Sequence, residues 1–72
     1  MKIDYFKETD SMYIEFLDKT ATFIVAINDN IDVDLDENEN LIGIDIHSQA
    51  SKFNLNDLEF KNVPQIKNIK FG

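Results

Sequence analysis

The stretch IDVDLDENENLIGIDI, residues 31–46, alternates aliphatic and polar side chains and decides the fold. In an extended chain every second side chain lies on the same face, so the aliphatic and acidic residues separate onto opposite sides. The acids of the first half share one side: Asp32, Asp34 and Asp36. The polar segment 36–40 predicts a reversal between two strands. The stretch therefore predicts an antiparallel hairpin with one dry face and one wet face.

The residues before this hairpin predict three more strands. Segments 2–6 and 12–17 both alternate with a period of two, and the polar residues 7–10 between them predict a turn. Segment 22–27 is rich in β-branched and aromatic residues, which favour a pleated surface. Residues 28–30 then offer asparagine and aspartate for a tight reversal into the hairpin.

The residues after the hairpin predict a short helix and an arm. Ser48 and the asparagines at 54 and 56 are N-cap residue types, so we expect a short helix within residues 48–61. Pro64 ends any helix. The expected fold is α+β, an antiparallel β-meander of four to five strands with a short C-terminal helix on one face. Residues 1–61 are expected to form one β-rich domain, and residues 62–72 a basic C-terminal arm.

Composition narrows the function classes. The chain has 72 residues, a net charge of −7 and no cysteine. An acidic chain repels nucleic-acid phosphates and anionic membranes, so direct binding to either is not expected. The amino terminus has no apolar segment of the secretory type, and cysteine is absent, which together predict a cytoplasmic protein.

Two blocks of the sequence resemble a known family. Asp10, Tyr13 and Ile14 fit a "D-x-x-Y-I" strand, and residues 33–46 fit a later hairpin with two aspartates, a glycine and alternating isoleucines. In order and spacing the chain resembles the YuzE-like family of small bacterial proteins, domain of unknown function 2283, over roughly residues 1–53.

The resemblance implies an α+β domain with a β-meander and a short helix, without established activity or catalytic residues. It also implies an antitoxin-like role, since some members are encoded beside small toxin-like proteins and are proposed to be antitoxins. The chain departs from the family at two places. Glu39 or Asn40 stands where the family hairpin commonly has glycine, and residues 61–72 extend beyond the shared region.

A calcium loop is one alternative interpretation of the hairpin. Asp34, Asp36, Asn38 and Asp45 have the alternate spacing of oxygen ligands for a hard cation. However, Glu39 occupies the position where a calcium loop normally turns on glycine, and the last ligand is an aspartate rather than the longer glutamate. The interpretation as a solvated hairpin face is therefore favoured, and no cofactor is expected.

A catalytic site around the single histidine is a second alternative. His47 ends the last strand near Asp45 and Ser48, so a general-base role is conceivable. In a continuing strand Ser48 points away from the face that Asp45 and His47 share, which favours a surface histidine. Carboxylate pairs such as Asp32 with Asp34, or Asp10 with Glu15, are expected by chance among fourteen acids.

The first hairpin carries apolar side chains on both sides. They are Tyr5, Phe6, Tyr13 and Leu17, in addition to the alternating set at 12, 14 and 16. A strand that is apolar on both faces is normally covered twice, either by the core of its own chain or by another copy. With one small core and no disulfide, a homodimer is expected.

These observations predict a noncatalytic, antitoxin-like protein-binding module whose partner is a basic or toxin-like protein. The expected contact residues are Asp32, Asp34 and Asp36 on the hairpin and Ile66, Ile69 and Phe71 on the arm. One alternative is an acidic nucleic-acid mimic that acts as an inhibitor, because alternate strand residues lie about 6.5–7 Å apart, close to phosphate spacing. A small metal-dependent enzyme that uses His47 is the weaker alternative.

Overall fold

The computed structural model describes residues 1–64 and contains one five-stranded antiparallel sheet. Every strand lies within two residues of its predicted bounds. The strands are β1 (Lys2–Phe6), β2 (Ser11–Glu15), β3 (Phe23–Asn28), β4 (Ile31–Leu35) and β5 (Leu41–Ile46).

The strand order is β1-β2-β5-β4-β3. The predicted hairpins β1–β2 and β4–β5 are confirmed. The expectation of one continuous meander holds only within two units, β1–β2 and β3–β4–β5, because β2 pairs with β5 rather than with β3. This pairing places Met12 opposite Ile46 and Ile14 opposite Ile44, so it joins the aliphatic rows of the two units. Strands β1 and β3 are the edges of the sheet.

The register gives the sheet two different faces, since residues that are directly opposite on neighbouring strands lie on the same face. The apolar face carries Ile3, Tyr5, Met12, Ile14, Phe23, Val25, Ile31, Val33, Leu35, Ile44 and Ile46. The acidic face carries Asp4, Glu15, Asp32, Asp34 and Asp45, together with Tyr13 and Gly43. The predicted separation of aliphatic from acidic residues is therefore confirmed for β4 and β5, whereas Ile24 of β3 lies on the acidic face, directly across from Asp34.

The buried core is small: its main cluster lies at one end of the apolar face, and Ile42, which is 1% exposed, is buried towards the other end of β5. Met12, Ile46 and Ala50 form the buried cluster, against which Ile14 and Ile44 pack while partly buried. Ala50 belongs to the segment that follows β5 and lies over the sheet. Much of the apolar face outside this cluster is open to solvent.

The prediction of a helix within residues 48–61 is wrong. This segment contains two three-residue 3-10 turns, Ala50–Lys52 and Leu55–Asp57. Ser48 has a positive φ of 61° and does not cap the first turn, which lacks a side-chain cap. Asn54 does cap the second turn, by accepting a hydrogen bond from the Asn56 backbone N–H. The fold is consequently β-rich, without the expected C-terminal helix in the described residues.

The proposed boundary between a domain at 1–61 and an arm at 62–72 stays a prediction. Ile66, Ile69 and Phe71 lie outside the described residues. Within residues 1–64, none of the helical segments is long or apolar enough to span a membrane.

Candidate functional site

The acidic face is centred on two carboxylates that lie directly opposite each other. Asp32 on β4 pairs with Asp45 on β5, and their side chains are 29% and 36% exposed. Directly opposed like charges destabilise a pair of strands. Asp34 follows two residues after Asp32 on the same face, as predicted. Asp32 and Asp45 are thus held close together by the register of the hairpin and not by a loop.

His47 lies beside this carboxylate pair. Its Nε2 atom is 2.9 Å from Asp32 Oδ2 and 3.8 Å from Asp45 Oδ2. Asn30 holds the backbone of His47, because the Asn30 side-chain amide donates to the His47 carbonyl and the His47 N–H donates to the Asn30 carbonyl. The hydrogen bond to Asp32, and the nearby charge of Asp45, raise the pKa of His47.

The sequence interpretation paired His47 with Asp45 or Ser48 and missed Asp32. The hairpin register could have shown this contact, since Asp32 lies directly opposite Asp45, two residues before His47. Alternation along one strand does not show which residues of the neighbouring strand lie opposite.

We expect the pKa of His47 to lie above 6.5 and to fall when Asp32 is replaced by Asn. The charged imidazole then loses its principal acceptor. Because the folded-state pKa is raised, the pair stabilises the fold below about pH 6.5, and this contribution is lost as the pH rises through the folded-state pKa. An NMR titration can follow the single histidine without assignment ambiguity.

The matched control for this titration is Asp18→Asn, which makes the same change in net charge away from the acidic face. The control should leave the histidine pKa close to its wild-type value. Equal pKa values in the wild type and in Asp32→Asn would contradict the assignment of Asp32 as the partner of His47.

Tyr13 crosses the acidic face above Gly43. Its hydroxyl donates a 2.9 Å hydrogen bond to Asp34 Oδ2, two strands away. A β-carbon at position 43 would overlap the hydroxyl and ring carbon of Tyr13 and would come within 2.9 Å of the Ile14 carbonyl oxygen. Burial and the bond to Asp34 raise the pKa of Tyr13 to about 12, so the phenol stays protonated and acts as a donor.

Asp36 lies apart from the other acids, inside the turn between β4 and β5. The expectation that it shares the solvated row is wrong, because the residue is 1% exposed. Its carboxylate accepts bonds from the backbone N–H groups of Asn38 and Asn40 at 2.8 and 2.9 Å. Lys19 Nζ lies 3.0 Å from the other carboxylate oxygen. These donors hold the pKa of Asp36 well below its usual range.

The turn around Asp36 explains the departure from the family glycine. Glu39 has a φ of 63°, a left-handed conformation that glycine adopts without steric cost. The Glu39 N–H donates to the Asp36 carbonyl, and the Asp36 N–H donates to the Asn40 carbonyl. The bonds made by Asp36 thus fix the turn although no glycine is present.

Asp10 ties the segment after β5 to the first hairpin. One carboxylate oxygen accepts the Ser51 backbone N–H at 2.8 Å, and the other accepts the Ser51 hydroxyl at 2.7 Å. Tyr5 also donates to Asp10, and the Ala50 N–H donates to the Asp10 carbonyl. The Ser51 hydroxyl bond is the main reason that the pKa of Asp10 is lowered. This contact places Ala50 in the core.

The candidate chemical sites do not converge. Of the calcium-loop residues, Asp34 is bonded to Tyr13 and Asp36 to Lys19, so their carboxylates do not point at a common centre. In the part of the chain that the structure describes, no group of three His, Asp or Glu side chains has the geometry to hold a metal ion. What the acidic face can do chemically is accept hydrogen bonds and attract cations.

The residues that carry the family resemblance hold the fold together. Asp10, Tyr13, Gly43, Asp34 and Asp36 all take part in the contacts described above. Searches of curated proteins and of solved structures find no match to the chain. The family model described as "Protein of unknown function (DUF2283)" matches residues 2–48, which span all five strands. The chain therefore belongs to the DUF2283 family.

Proposed function

We propose that this chain is a noncatalytic protein-binding module that binds a basic protein through its acidic face. The observation that supports this function best is the separation of charge across the sheet. Among the described strands, every carboxylate lies on the acidic face and none lies on the apolar face. The acidic-face carboxylates are Asp4, Glu15, Asp32, Asp34 and Asp45.

The opposed pair Asp32 and Asp45 is unfavourable in the free chain. A lysine or arginine from a partner, placed between the two carboxylates, would relieve their repulsion and gain two charge-assisted contacts. His47 offsets part of this repulsion only when it is protonated. A basic partner therefore gains more from this pair than from two isolated surface acids, and the complex should weaken as salt is added.

Several reactive side chains already take part in hydrogen bonds that hold the fold, and this supports a noncatalytic function. Tyr13 with Asp34, Lys19 with Asp36 and Asp10 with Ser51 are each bonded in pairs that hold strands or turns. A general acid or base needs a free position towards a substrate. The small metal-dependent enzyme, which would use His47 rather than these pairs, stays the weaker alternative.

The antitoxin-like role is the narrower form of this proposal, with a small basic toxin-like protein as the partner. It follows from what the family resemblance implies. The predicted contributors Ile66, Ile69 and Phe71 would add apolar contacts to the electrostatic ones.

A nucleic-acid mimic is the second candidate function. Asp32 and Asp34 lie on one face of β4, and alternate residues of a strand are about 6.5–7 Å apart, close to the spacing of phosphates. Such a mimic would occupy the nucleic-acid groove of its basic partner. Competition by single-stranded nucleic acid for the captured protein would therefore favour the mimic over a module that binds elsewhere.

The test is capture of partners on the immobilised chain at graded salt concentrations, followed by mass spectrometry. We expect a basic protein that is retained at native salt and released as salt is raised. The double variant Asp4→Asn with Asp45→Asn should lose this protein, because it removes two charges of the acidic face.

The control is Asp18→Asn with Asp29→Asn, which changes the net charge equally outside the acidic face. This control should retain the partner. Recovery of no basic protein, or equal loss in the two double variants, would refute binding through the acidic face.

A further inference from the structure

The sheet buries few of its apolar side chains. Within residues 1–64 the buried hydrophobic residues are Met12, Ile42, Ile46 and Ala50. The other apolar side chains of the strands are half-buried or exposed. A stable complex buries roughly 800 Å² on each partner and needs uncovered apolar surface of this kind.

Part of this uncovered apolar surface lies on the face opposite the carboxylates. At the two edges of the apolar face, Ile3, Tyr5, Phe23 and Val25 are 39–50% exposed. The inner strands add half-buried aliphatic residues between them. A continuous apolar surface of this kind marks an interaction site in a small protein.

The edge strand β3 lacks the features that normally protect a sheet edge. Phe23–Asn28 is exposed along its whole length and has no charged residue and no proline. Sheet edges are usually protected by lysines, prolines or a covering segment. Because β3 also carries Phe23 and Val25 of the apolar face, the unprotected strand extends the same surface to the rim of the sheet.

We propose that a second copy of this chain packs on the apolar face, giving a face-to-face homodimer with both acidic faces outward. Two copies with a net charge of −7 repel each other. The apolar face carries no strand carboxylate, so two copies can meet on it without opposing the charges of the acidic face. Two sheets packed about 10 Å apart would then bury the aliphatic rows as in a β-sandwich.

The dimer is independent of the proposed binding to a basic protein, since it uses the opposite face of the sheet. The experiment is sedimentation equilibrium and thermal unfolding of the purified chain over a range of concentrations, with no partner present. We expect the mass of a dimer and a melting temperature that rises with concentration. A monomeric mass throughout the micromolar range would overturn the proposal.

Two neighbouring substitutions distinguish the faces. Val25→Lys places a charge on the apolar face and should weaken dimerisation by more than about tenfold. Ile24→Lys makes the same kind of change one residue earlier, at a side chain that is 70% exposed on the acidic face, and should leave dimerisation unchanged. Phe23→Ser is a second variant of the apolar face, in case Val25→Lys does not fold.

The other possible occupants give different results. If both lysine variants become monomeric, the copies pair through the edge of β3 and the face-to-face arrangement is wrong. If the wild type is monomeric and Val25→Lys is strongly destabilised, the chain covers its own apolar face. The acidic-face double variant of the capture test should remain dimeric, so failure of either proposal can be recognised separately.

Discussion

Replacing Gly43 by Ala should destabilise this chain by about 2–3 kcal/mol, a large part of the stability of a domain of this size. The new methyl group would overlap the Tyr13 side chain and crowd the Ile14 carbonyl oxygen, which belongs to the neighbouring strand. The tyrosine ring can move away only by giving up its bond to Asp34. Urea unfolding of the variant and the wild type measures the difference.

A double-mutant cycle separates the overlap with the Tyr13 side chain from the contact with the Ile14 carbonyl oxygen. Tyr13→Phe removes only the bond to Asp34, whereas Tyr13→Ser removes the ring as well. Gly43→Ala should cost less in the Tyr13→Ser background than in the wild type, although the contact with the Ile14 carbonyl remains. If Gly43→Ala has the same cost in both backgrounds, or none, the close packing of Tyr13 over Gly43 is not real.

Strand positions could be predicted from this sequence because they depend on local alternation. Within residues 31–35 and 42–46 the aliphatic and acidic side chains separate, and the structure pairs the two strands as the pattern requires. The pairing of β2 with β5 could not be predicted in this way. It depends on which edge of the later strands accepts the first hairpin, and that choice is made by packing of Met12 and Ile14 across the sheet.

The helix prediction rests on capping residues and on what the family resemblance implies, and caps without a periodic apolar row are weak evidence. Residues 48–61 contain good cap types, but the segment is held by Asp10, which bonds Ser51 and draws Ala50 into the core. That long-range contact fixes the chain in a short 3-10 turn. The local sequence of residues 48–61 does not predict this contact with Asp10. The only indication is that Asp10 belongs to the family pattern.

Among the candidate site residues, alternation placed Asp32 and Asp34 correctly and Asp36 incorrectly. The same two-residue spacing applies to all three, but Asp36 is the first residue after β4, where the pleat ends. Its carboxylate is free to turn inward and meet the N–H groups of the following residues, as aspartate commonly does in turns. Lys19 lies 17 residues from Asp36 in the sequence, so their contact could not be predicted from local alternation.

Replacing Asp36 by Asn should lower the melting temperature at neutral pH by on the order of 10 °C. Asparagine has nearly the same shape, but its amide group would face either Lys19 or the backbone N–H groups of Asn38 and Asn40, and donors would then oppose donors. The charge that offsets the buried end of Lys19 would also be lost. The turn that aligns β4 with β5 should loosen, and both faces of the sheet depend on that alignment.

The pH dependence of stability makes the prediction specific to the carboxylate. Because the folded-state pKa of Asp36 is depressed, its contribution is present above the unfolded pKa of about 3.9 and is lost as the pH falls through the folded-state pKa. The wild type should therefore lose more stability than Asp36→Asn when the pH is lowered below about 4.

The control is Glu37→Gln. Glu37 also contacts Lys19, at 3.4 Å, but from an exposed position, so this substitution should change the stability little. An acid-unfolding profile of Asp36→Asn as steep as that of the wild type would mean that the buried carboxylate does not organise the turn, and the family aspartate at this position would need another explanation.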